Sequence, residues 1–120
     1  MESLKKTRDF KQVYNHRRSK ANRLLVLYVK KGGLSASRLG VSISRKVGTA
    51  VVRNRIKRLI KEHIRLREEE LVPGFDMVVV VRRAIPKDIN FEQIGQSLLN
   101  LLDRQKVLMQ PGFARREAWD

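Results

Sequence analysis

The chain of 120 residues contains no cysteine. Disulfide bonds and thiolate metal sites are therefore excluded. Long apolar runs are also missing, because the stretches around 24–29 and 78–81 fall far short of the ~18 apolar residues that span a bilayer. The first ten residues, MESLKKTRDF, hold no apolar signal-peptide core. These absences predict a cytoplasmic protein without a membrane-spanning segment.

Acidic residues are scarce in the first half of the chain. Residues 1–66 hold 19 basic and 3 acidic side chains, a net charge of +16, whereas residues 67–120 hold 8 and 9, a net charge of −1. Because like charges on one compact domain repel each other, this excess indicates a polyanionic partner. Nucleic acid is the first candidate and an anionic membrane surface is the second.

Groups that could perform catalysis are equally few. The only histidines are His16 and His63. His63 falls in the apolar sector of a predicted helix, which favours a packed structural role over acid–base chemistry. His16 stands beside Arg17 and Arg18, where a surface role is the default. The carboxylates do not cluster as metal ligands, and no Gly-rich phosphate loop or nucleophile motif is present. We therefore predict no catalytic residue and no metal ligands in this chain.

What is present is an alternation of helix and strand patterns. Three helices are predicted, at 7–16, at 49–67 and from Asn90 to about 107. Thr7 is the predicted cap of the first helix, and Asn90 forms a capping box with Gln93 at the start of the third. Strands are predicted at 23–30, 38–45 and 76–83, the last a β-branched run typical of a central strand. Pro73-Gly74 predicts the turn before that strand.

These elements predict an α/β (α+β) sandwich in which one mostly antiparallel sheet is packed by helices. Residues 1–109 form a single domain in this interpretation. The last residues, 110–120, lack periodicity and are predicted to be a flexible C-terminal tail.

The helix at 49–67 carries the clearest functional signal. On a helical wheel Val52, Ile56, Leu59, Ile60 and Ile64 share one sector. The opposite sector holds Asn54, Lys57, Arg58, Lys61 and Arg65, with Arg53 and Arg55 at the two borders. A solubilising face would mix charge signs, since opposite charges four residues apart stabilise a helix. This face has no acidic residue before Glu62, so we interpret it as a surface for phosphate groups. A membrane-binding helix would need its apolar stripe exposed.

The strand at 38–45 has one apolar face and one face of very small residues. Gly40, Ser42 and Ser44 make up the second face. Either this is an ordinary solvated sheet face, or it is a shallow surface on which an extended chain lies close to the backbone. The sequence does not decide between these two interpretations.

The stretch SRKVGTAVVRNRIKRLIKE at 44–62 resembles the signature of the bacterial ribonuclease P protein subunit. Further segments occur in the family's order and spacing, namely LKKTRDFKQVYNH, ANRLLVLYV, RLGVSISRK and FDMVVVVRR. The resemblance extends over residues 4–106, and RNRIKR following KVG is its most specific part. One departure is Thr49, where the family often has Asn, although Thr can also cap a helix.

This resemblance implies a four-stranded sheet with a left-handed β-α-β crossover, as in ribosomal protein S5 domain 2. It implies a protein subunit that binds ribonuclease P RNA and precursor tRNA, with no obligate protein partner and no membrane. Together the subunits would remove the 5′ leader of the precursor in tRNA maturation. Hydrolysis would occur on the RNA, with Mg²⁺ bound mainly by RNA and not tightly by this chain.

The resemblance also implies site residues. The surface for the RNA subunit would comprise Lys46, Arg53, Asn54, Arg55, Lys57, Arg58, Lys61 and Arg65. The cleft for the precursor leader, between the first helix and the exposed sheet face, would comprise Phe10, Tyr14, Tyr28, Ser42, Ser44 and Arg45.

Two alternatives stay open at this point. Phe10 and Tyr14 share a helical face with Val13, which is equally consistent with core packing, whereas the strand position and polar tip of Tyr28 favour leader contact. A ribosomal or other structural RNA-binding protein would have a similar composition, although the RNR signature argues against it.

Overall fold

The structure, a computed structural model, describes residues 1–32 and 36–109. It contains three α-helices, five β-strands and two 3₁₀ turns, the latter at Arg45–Val47 and Glu68–Glu70. The helices are α1 (Thr7–Asn15), α2 (Ala50–Leu66) and α3 (Phe91–Arg104), and the strands are β1 (Glu2–Ser3), β2 (Ser19–Ala21), β3 (Leu25–Lys31), β4 (Arg38–Ile43) and β5 (Phe75–Val81). The tail predicted at 110–120 lies outside the described residues.

The strands form one mixed sheet in the order β1-β4-β5-β3-β2. β4 runs parallel to both β1 and β5, whereas β3 runs antiparallel to both β5 and β2. The prediction of four mostly antiparallel strands is therefore wrong. Strands of two and three residues are too short to show an alternation pattern, and the connection through α2 makes β4 and β5 parallel neighbours. The left hand of that crossover and the likeness to ribosomal protein S5 stay predictions.

β5 is the central strand of the sheet, as its run of β-branched residues indicates. Its residues from Asp76 to Val79 are buried, and it pairs along its whole length with β3. Pro73-Gly74 forms the turn before it, and Gly74 has φ 89°, a conformation that glycine adopts without strain.

The main core lies between one face of the sheet and the helices α2 and α3. Alternate residues of β3 and β5 face this core, and they are buried together with Ile56 and Ile60 of α2 and with three leucines of α3, Leu98, Leu101 and Leu102. A fully buried aliphatic side chain of this kind contributes roughly 1.5–3 kcal/mol relative to an exposed one. Packing against the sheet therefore fixes which side of α2 faces the solvent.

The other face of the sheet is only partly covered. α1 packs on it through Val13, which is fully buried, and Val13 forms a small cluster with Leu4 and Val78. Phe10, Tyr14, Tyr28 and Val80 pack around this cluster and are only partly buried. A nine-residue helix cannot cover a five-stranded sheet, so part of this face stays accessible.

Side-chain caps begin two of the three helices as predicted. The Thr49 hydroxyl accepts a hydrogen bond from the Val52 amide at 3.3 Å, and Asn90 and Gln93 form a reciprocal capping box. Thr7 is not a cap, because it is the first residue of α1 and Lys6 precedes the helix without a side-chain hydrogen bond. On α3 the side chains of Ile94, Leu98, Leu101 and Leu102 are buried, whereas Phe91 is 42% exposed.

Polar side chains join the β2–β3 hairpin to α3. The side-chain Oδ1 of Asn22 accepts hydrogen bonds from the Leu25 backbone amide at 3.0 Å and the Ser97 hydroxyl at 3.0 Å. The side-chain Nδ2 of Asn22 donates to the Ser97 backbone carbonyl at 2.9 Å. One side chain thus shapes the hairpin turn and binds it to the last helix.

Among the described residues, no helix combines the length and the apolar content needed to cross a bilayer.

Candidate nucleic-acid interface

The orientation of α2 agrees with the predicted wheel. Ile56 and Ile60 have no exposed surface, and Val52 and Leu59 pack on the same core. Opposite them is the surface that we call the α2 basic face, formed by Asn54, Lys57, Arg58, Lys61 and Arg65. Lys57 is half-buried, and the other four are exposed. The helix therefore presents four cations and one amide to the solvent.

Arg53 and Arg55 lie at the borders of this face and bind the protein's own backbone. The Arg53 Nε donates to the Gly48 carbonyl at 3.2 Å. The Arg55 guanidinium donates to the carbonyls of Lys87 and Ile89, in the loop before α3. Neither forms an ion pair among the described residues. Arg55 in addition holds the loop before α3 in place.

Arg65 differs from the rest of the α2 basic face, because its guanidinium binds Glu62 through two hydrogen bonds of 2.9 and 2.6 Å. This bond lowers the pKa of Glu62 and raises the pKa of Arg65. Since the two side chains are 43% and 65% exposed, water screens the pair and its contribution to stability is small. Glu62 offsets the positive charge at the C-terminal end of the face.

The turn before α2 adds two more exposed cations. Ser44 is not part of β4, because the strand ends at Ile43 and the Ser44 hydroxyl accepts a hydrogen bond from the Lys46 amide at 3.1 Å. Arg45 and Lys46 are exposed in the 3₁₀ turn that follows. This turn links the α2 basic face to the partly covered face of the sheet.

Three aromatic side chains lie together on the partly covered sheet face. The ring centroids of Tyr14 and Tyr28 are 4.8 Å apart in an edge-to-face arrangement, and those of Phe10 and Tyr14 are 6.5 Å apart. All three side chains are partly exposed. Phe10 and Tyr14 therefore pack on the sheet, as the core-packing interpretation predicts, and each is also partly exposed; their contact with the leader stays a prediction.

Next to these aromatics a row of small and aliphatic side chains crosses the sheet. Register places Ser42 beside Val80 and Val80 beside Val26, and all three are partly exposed. We call this row together with Phe10, Tyr14 and Tyr28 the aromatic surface. On the same sheet face Arg38 is paired with Asp76 at 2.7 Å and lies 3.6 Å from Asp9 on α1.

Gly40, Ser42 and Ser44, which the sequence places on one face of small residues, lie in three different environments. Gly40 is buried, and a Cβ atom there would lie 2.5 Å from Cζ of Phe10. Gly40 therefore accommodates the Phe10 ring and does not line an open groove. Only Ser42 is a small, partly exposed residue of the strand, because Ser44 caps the following turn.

The two histidines lie in different environments, one buried and one exposed, as predicted. His63 is buried, its ring stacks on Phe91 with centroids 3.8 Å apart, and its Nε2 lies 2.7 Å from the Phe91 carbonyl oxygen. Nε2 therefore carries the proton and donates. His16 is exposed at the end of α1. A structural role for His63 is confirmed by this packing.

The carboxylates of the described residues offer no set of donors for magnesium. No three Asp, Glu or His side chains converge as a metal site in residues 1–32 and 36–109. Asp9 and Asp76 approach the same group, but that group is the Arg38 guanidinium, whose pKa is raised by its hydrogen bond with Asp76. These residues do not fit a Mg²⁺ site, and no step of a reaction is assigned to a metal on this chain.

Sequence reasoning missed Val26, Val80 and the Arg38 cluster. The alternation in β3 already placed Val26 and Tyr28 on the face opposite Leu25 and Leu27, so Val26 was within reach of the pattern. Val80 was not, because β5 is apolar on both faces. The Arg38–Asp76 pair joins residues 38 positions apart, and no local pattern reports such a contact.

Comparison with known proteins gives consistent results. A model of the family "Ribonuclease P" matches residues 1–106. The chain is 46% identical over 105 residues to the ribonuclease P protein component of Clostridioides difficile strain 630, covering 87% of this chain and 91% of that protein. It is similar to the solved structure of the Staphylococcus aureus RNase P protein, with TM-score 0.83 and 36% identity, covering 90% and 98% of the two chains. It is also similar to the RNase P protein from Thermotoga maritima, with TM-score 0.77 and 34% identity, covering 87% and 97%.

Proposed function

Because this chain belongs to the ribonuclease P protein family, we propose that it binds ribonuclease P RNA through the α2 basic face and the 5′ leader of precursor tRNA through the aromatic surface. Members of this family are protein components of an endoribonuclease that processes tRNA. Each of the two surfaces then has its own RNA ligand. The protein acts in the cytoplasm, where precursor tRNA is made.

The α2 basic face is the observation that carries the proposal. Of its four cations, only Arg65 forms an ion pair among the described residues, and the other three are not paired with a carboxylate. Packing of Ile56 and Ile60 prevents the helix from rotating to hide them. Crowded like charges destabilise the free helix, whereas RNA phosphates accept charge-assisted hydrogen bonds from them and release counterions. Lys46 extends this surface at the start of the helix.

The aromatic surface suits an unpaired strand. Unpaired bases stack on aromatic rings in any sequence, and each such stack contributes roughly 1–3 kcal/mol. Tyr28, Tyr14 and Phe10 offer accessible ring area beside the shallow row that contains Ser42. Arg45, at the end of that row, supplies charge for the leader backbone, and the Ser44 hydroxyl sits at the turn.

The chain supplies binding and orientation, and the bond is cut elsewhere. His63 is enclosed by Phe91, and the described carboxylates do not gather as metal ligands. We therefore assign hydrolysis, and the Mg²⁺ that supports it, to the RNA subunit. The protein's contribution is to hold the leader and the RNA subunit in one assembly, which raises the affinity for precursor over mature tRNA.

The first experiment mixes purified protein, precursor tRNA and Mg²⁺ with and without ribonuclease P RNA. We expect cleavage at low salt only when the RNA is present, and we expect the protein to increase it. Cleavage by the protein alone would identify an autonomous nuclease. If the protein had no effect on cleavage, a general RNA-binding protein would be the better description.

The second experiment tests the α2 basic face. We expect the double variant Arg58→Gln/Lys61→Gln to bind ribonuclease P RNA more weakly and with a salt slope shallower by about 0.7–0.9 for each lost cation. The control is Lys11→Gln/Lys31→Gln, which removes two exposed charges outside this face, one on α1 and one at the end of β3. Equal salt slopes for the two variants would show that the α2 basic face is not part of the interface with RNA.

The third experiment tests the aromatic surface. We expect Tyr28→Ala to weaken binding of precursor tRNA to the assembled protein and RNA more than binding of mature tRNA. Tyr28→Phe keeps the ring and is expected to keep the preference. Equal losses for precursor and mature tRNA in the Ala variant would contradict the leader assignment.

A further inference from the structure

A pocket lined by cations lies at the β2 edge of the sheet, away from β4, the strand against which α2 packs. We call it the second basic pocket, because it is separate from the α2 basic face. It has a volume of about 500 Å³ and is formed where β2 approaches the C-terminal end of α3. Five cations and the buried Gln105 line it, and the cations are Arg17, Arg18, Lys20, Arg104 and Lys106. Neither the sequence pattern nor the proposed function assigns a role to this pocket.

The charge of this second basic pocket is not offset locally. None of its lining residues is acidic, and none of its cations takes part in an ion pair within the part of the chain that the structure describes. All five cations are exposed. Five positive charges around one concavity repel each other and attract an anion, as focusing of the field in a cleft predicts.

Two of these cations are held in place by neutral partners. The Arg18 guanidinium donates to the Gln105 carbonyl oxygen at 2.6 Å and to its side-chain oxygen at 3.3 Å, and it lies 5.4 Å from the centre of the Phe75 ring. Gln105 is 2% exposed, and its side-chain Nε2 donates to the Leu27 backbone carbonyl at 2.8 Å. Arg104 donates to the Ala21 carbonyl at 3.0 Å. The wall of the pocket is therefore ordered before any ligand arrives.

The backbone at the pocket is also unusual. Arg17 has φ 62° and Lys106 has φ 60°, and they are the only residues other than glycine with positive φ in residues 1–32 and 36–109. This conformation costs roughly 1–2 kcal/mol for a residue that has a Cβ atom. Glycine would adopt it more easily, so the long basic side chains are not required by the turns. Both strained positions carry cations of the same pocket.

We propose that the second basic pocket binds backbone phosphates of RNA, so that the protein holds RNA at the α2 basic face and also at the β2 edge of its sheet. This inference rests on the proposed function for its RNA partner. Two sources supply the same chemistry, the ribonuclease P RNA and the precursor tRNA. A pocket in which Arg18 and Arg104 are held in place beside two exposed lysines fits phosphates of a continuous strand.

The test uses the full chain and replaces the two lysines of the pocket. Lys20 and Lys106 make no side-chain hydrogen bond among the described residues, so Lys20→Gln/Lys106→Gln removes two charges while retaining the Cβ atoms. The matched control Lys31→Gln/Lys87→Gln removes two equally exposed lysines elsewhere. A third variant, Lys20→Arg/Lys106→Arg, retains the charge. Thermal unfolding of each variant checks that the fold is intact.

The readout is binding as a function of salt in two arms. One arm measures the protein against ribonuclease P RNA, and the other measures the assembled protein and RNA against precursor tRNA. A slope of about 0.7–0.9 per phosphate contact corresponds to roughly 5- to 8-fold in affinity per lysine at 0.1 M salt. We expect the Gln variant to lose about 25-fold or more in one arm, the control to lose much less, and the Arg variant to bind like the unmodified protein.

The arm that shows the loss identifies the source of the phosphate. If the Gln variant and the control have the same affinity and salt slope in both arms, the inference is refuted while the proposed function stands. If the unmodified protein binds neither RNA in a salt-dependent way, the proposed function fails first.

Discussion

Replacing Gly40 by alanine connects the packing of the sheet to the aromatic surface. The added Cβ would lie 2.5 Å from Cζ and 2.7 Å from Cε2 of Phe10, and 3.2 Å from Cβ of Leu4. Carbon atoms in contact prefer separations of about 3.5–4.0 Å, so the ring must retreat by about 1 Å. Overpacking of this kind typically costs 1–3 kcal/mol, and we expect the free energy of unfolding in urea to fall by about that amount.

The displaced ring also changes the surface offered to the leader. We expect Gly40→Ala to reduce the preference of the assembled protein and RNA for precursor over mature tRNA by roughly fivefold or more, which is the low end of the energy of one base stacked on an aromatic ring. The preference is measured as the ratio of the two dissociation constants at one salt concentration.

A double-mutant cycle separates the two effects. Leucine at position 10 lacks the ring atoms nearest to the added methyl group, so Gly40→Ala should cost about 1 kcal/mol less in a Phe10→Leu background. The double variant should not regain the leader preference, because the ring is gone. The reasoning fails if Gly40→Ala is equally costly with Phe and with Leu at position 10, or if it alters neither stability nor preference.

Three further substitutions test contacts around the two surfaces. Glu62→Gln removes the carboxylate that binds Arg65, so RNA affinity should rise and the salt slope should steepen by about 0.7–0.9; unchanged binding would mean that this arginine does not meet RNA. Arg55→Ala removes two hydrogen bonds to the loop before α3 and should lower the free energy of unfolding, measured by urea titration, by about 1–3 kcal/mol. An unchanged free energy of unfolding would mean that these bonds do not stabilise the fold. Arg38→Met leaves the buried Asp76 carboxylate without its partner and should cost about 3 kcal/mol, the low end for a buried pair because the arginine is 23% exposed. A thermal unfolding curve like that of the unmodified protein would contradict this estimate.

The sequence predicted those parts of the fold that depend on local periodicity. The apolar spacing from Val52 to Ile64 located α2 and its buried side, and the Asn90 capping box located the start of α3. The alternation in β3 separated Tyr28 from the core. Each of these features depends on residues within a few positions of each other, which is why one sequence was sufficient.

Features that depend on distant residues could not be predicted. β2 is recognisable only through its pairing with β3, because three exposed residues carry no alternation. Gly40 was interpreted as part of an open surface, since no pattern shows that the Phe10 ring lies over it. The bond between Arg18 and Gln105 joins residues 87 positions apart.

The order of strands in space has a consequence for how the protein is synthesised. β5, the last strand to leave the ribosome, lies between β3 and β4, which are consecutive in the chain but do not pair. A nascent chain ending before residue 75 therefore has no partner for the inner edge of either strand, and its +16 segment emerges without a core to anchor it. Because nonlocal pairing must wait for that strand, we expect the tertiary structure to form late, after most of the positive charge has left the ribosome.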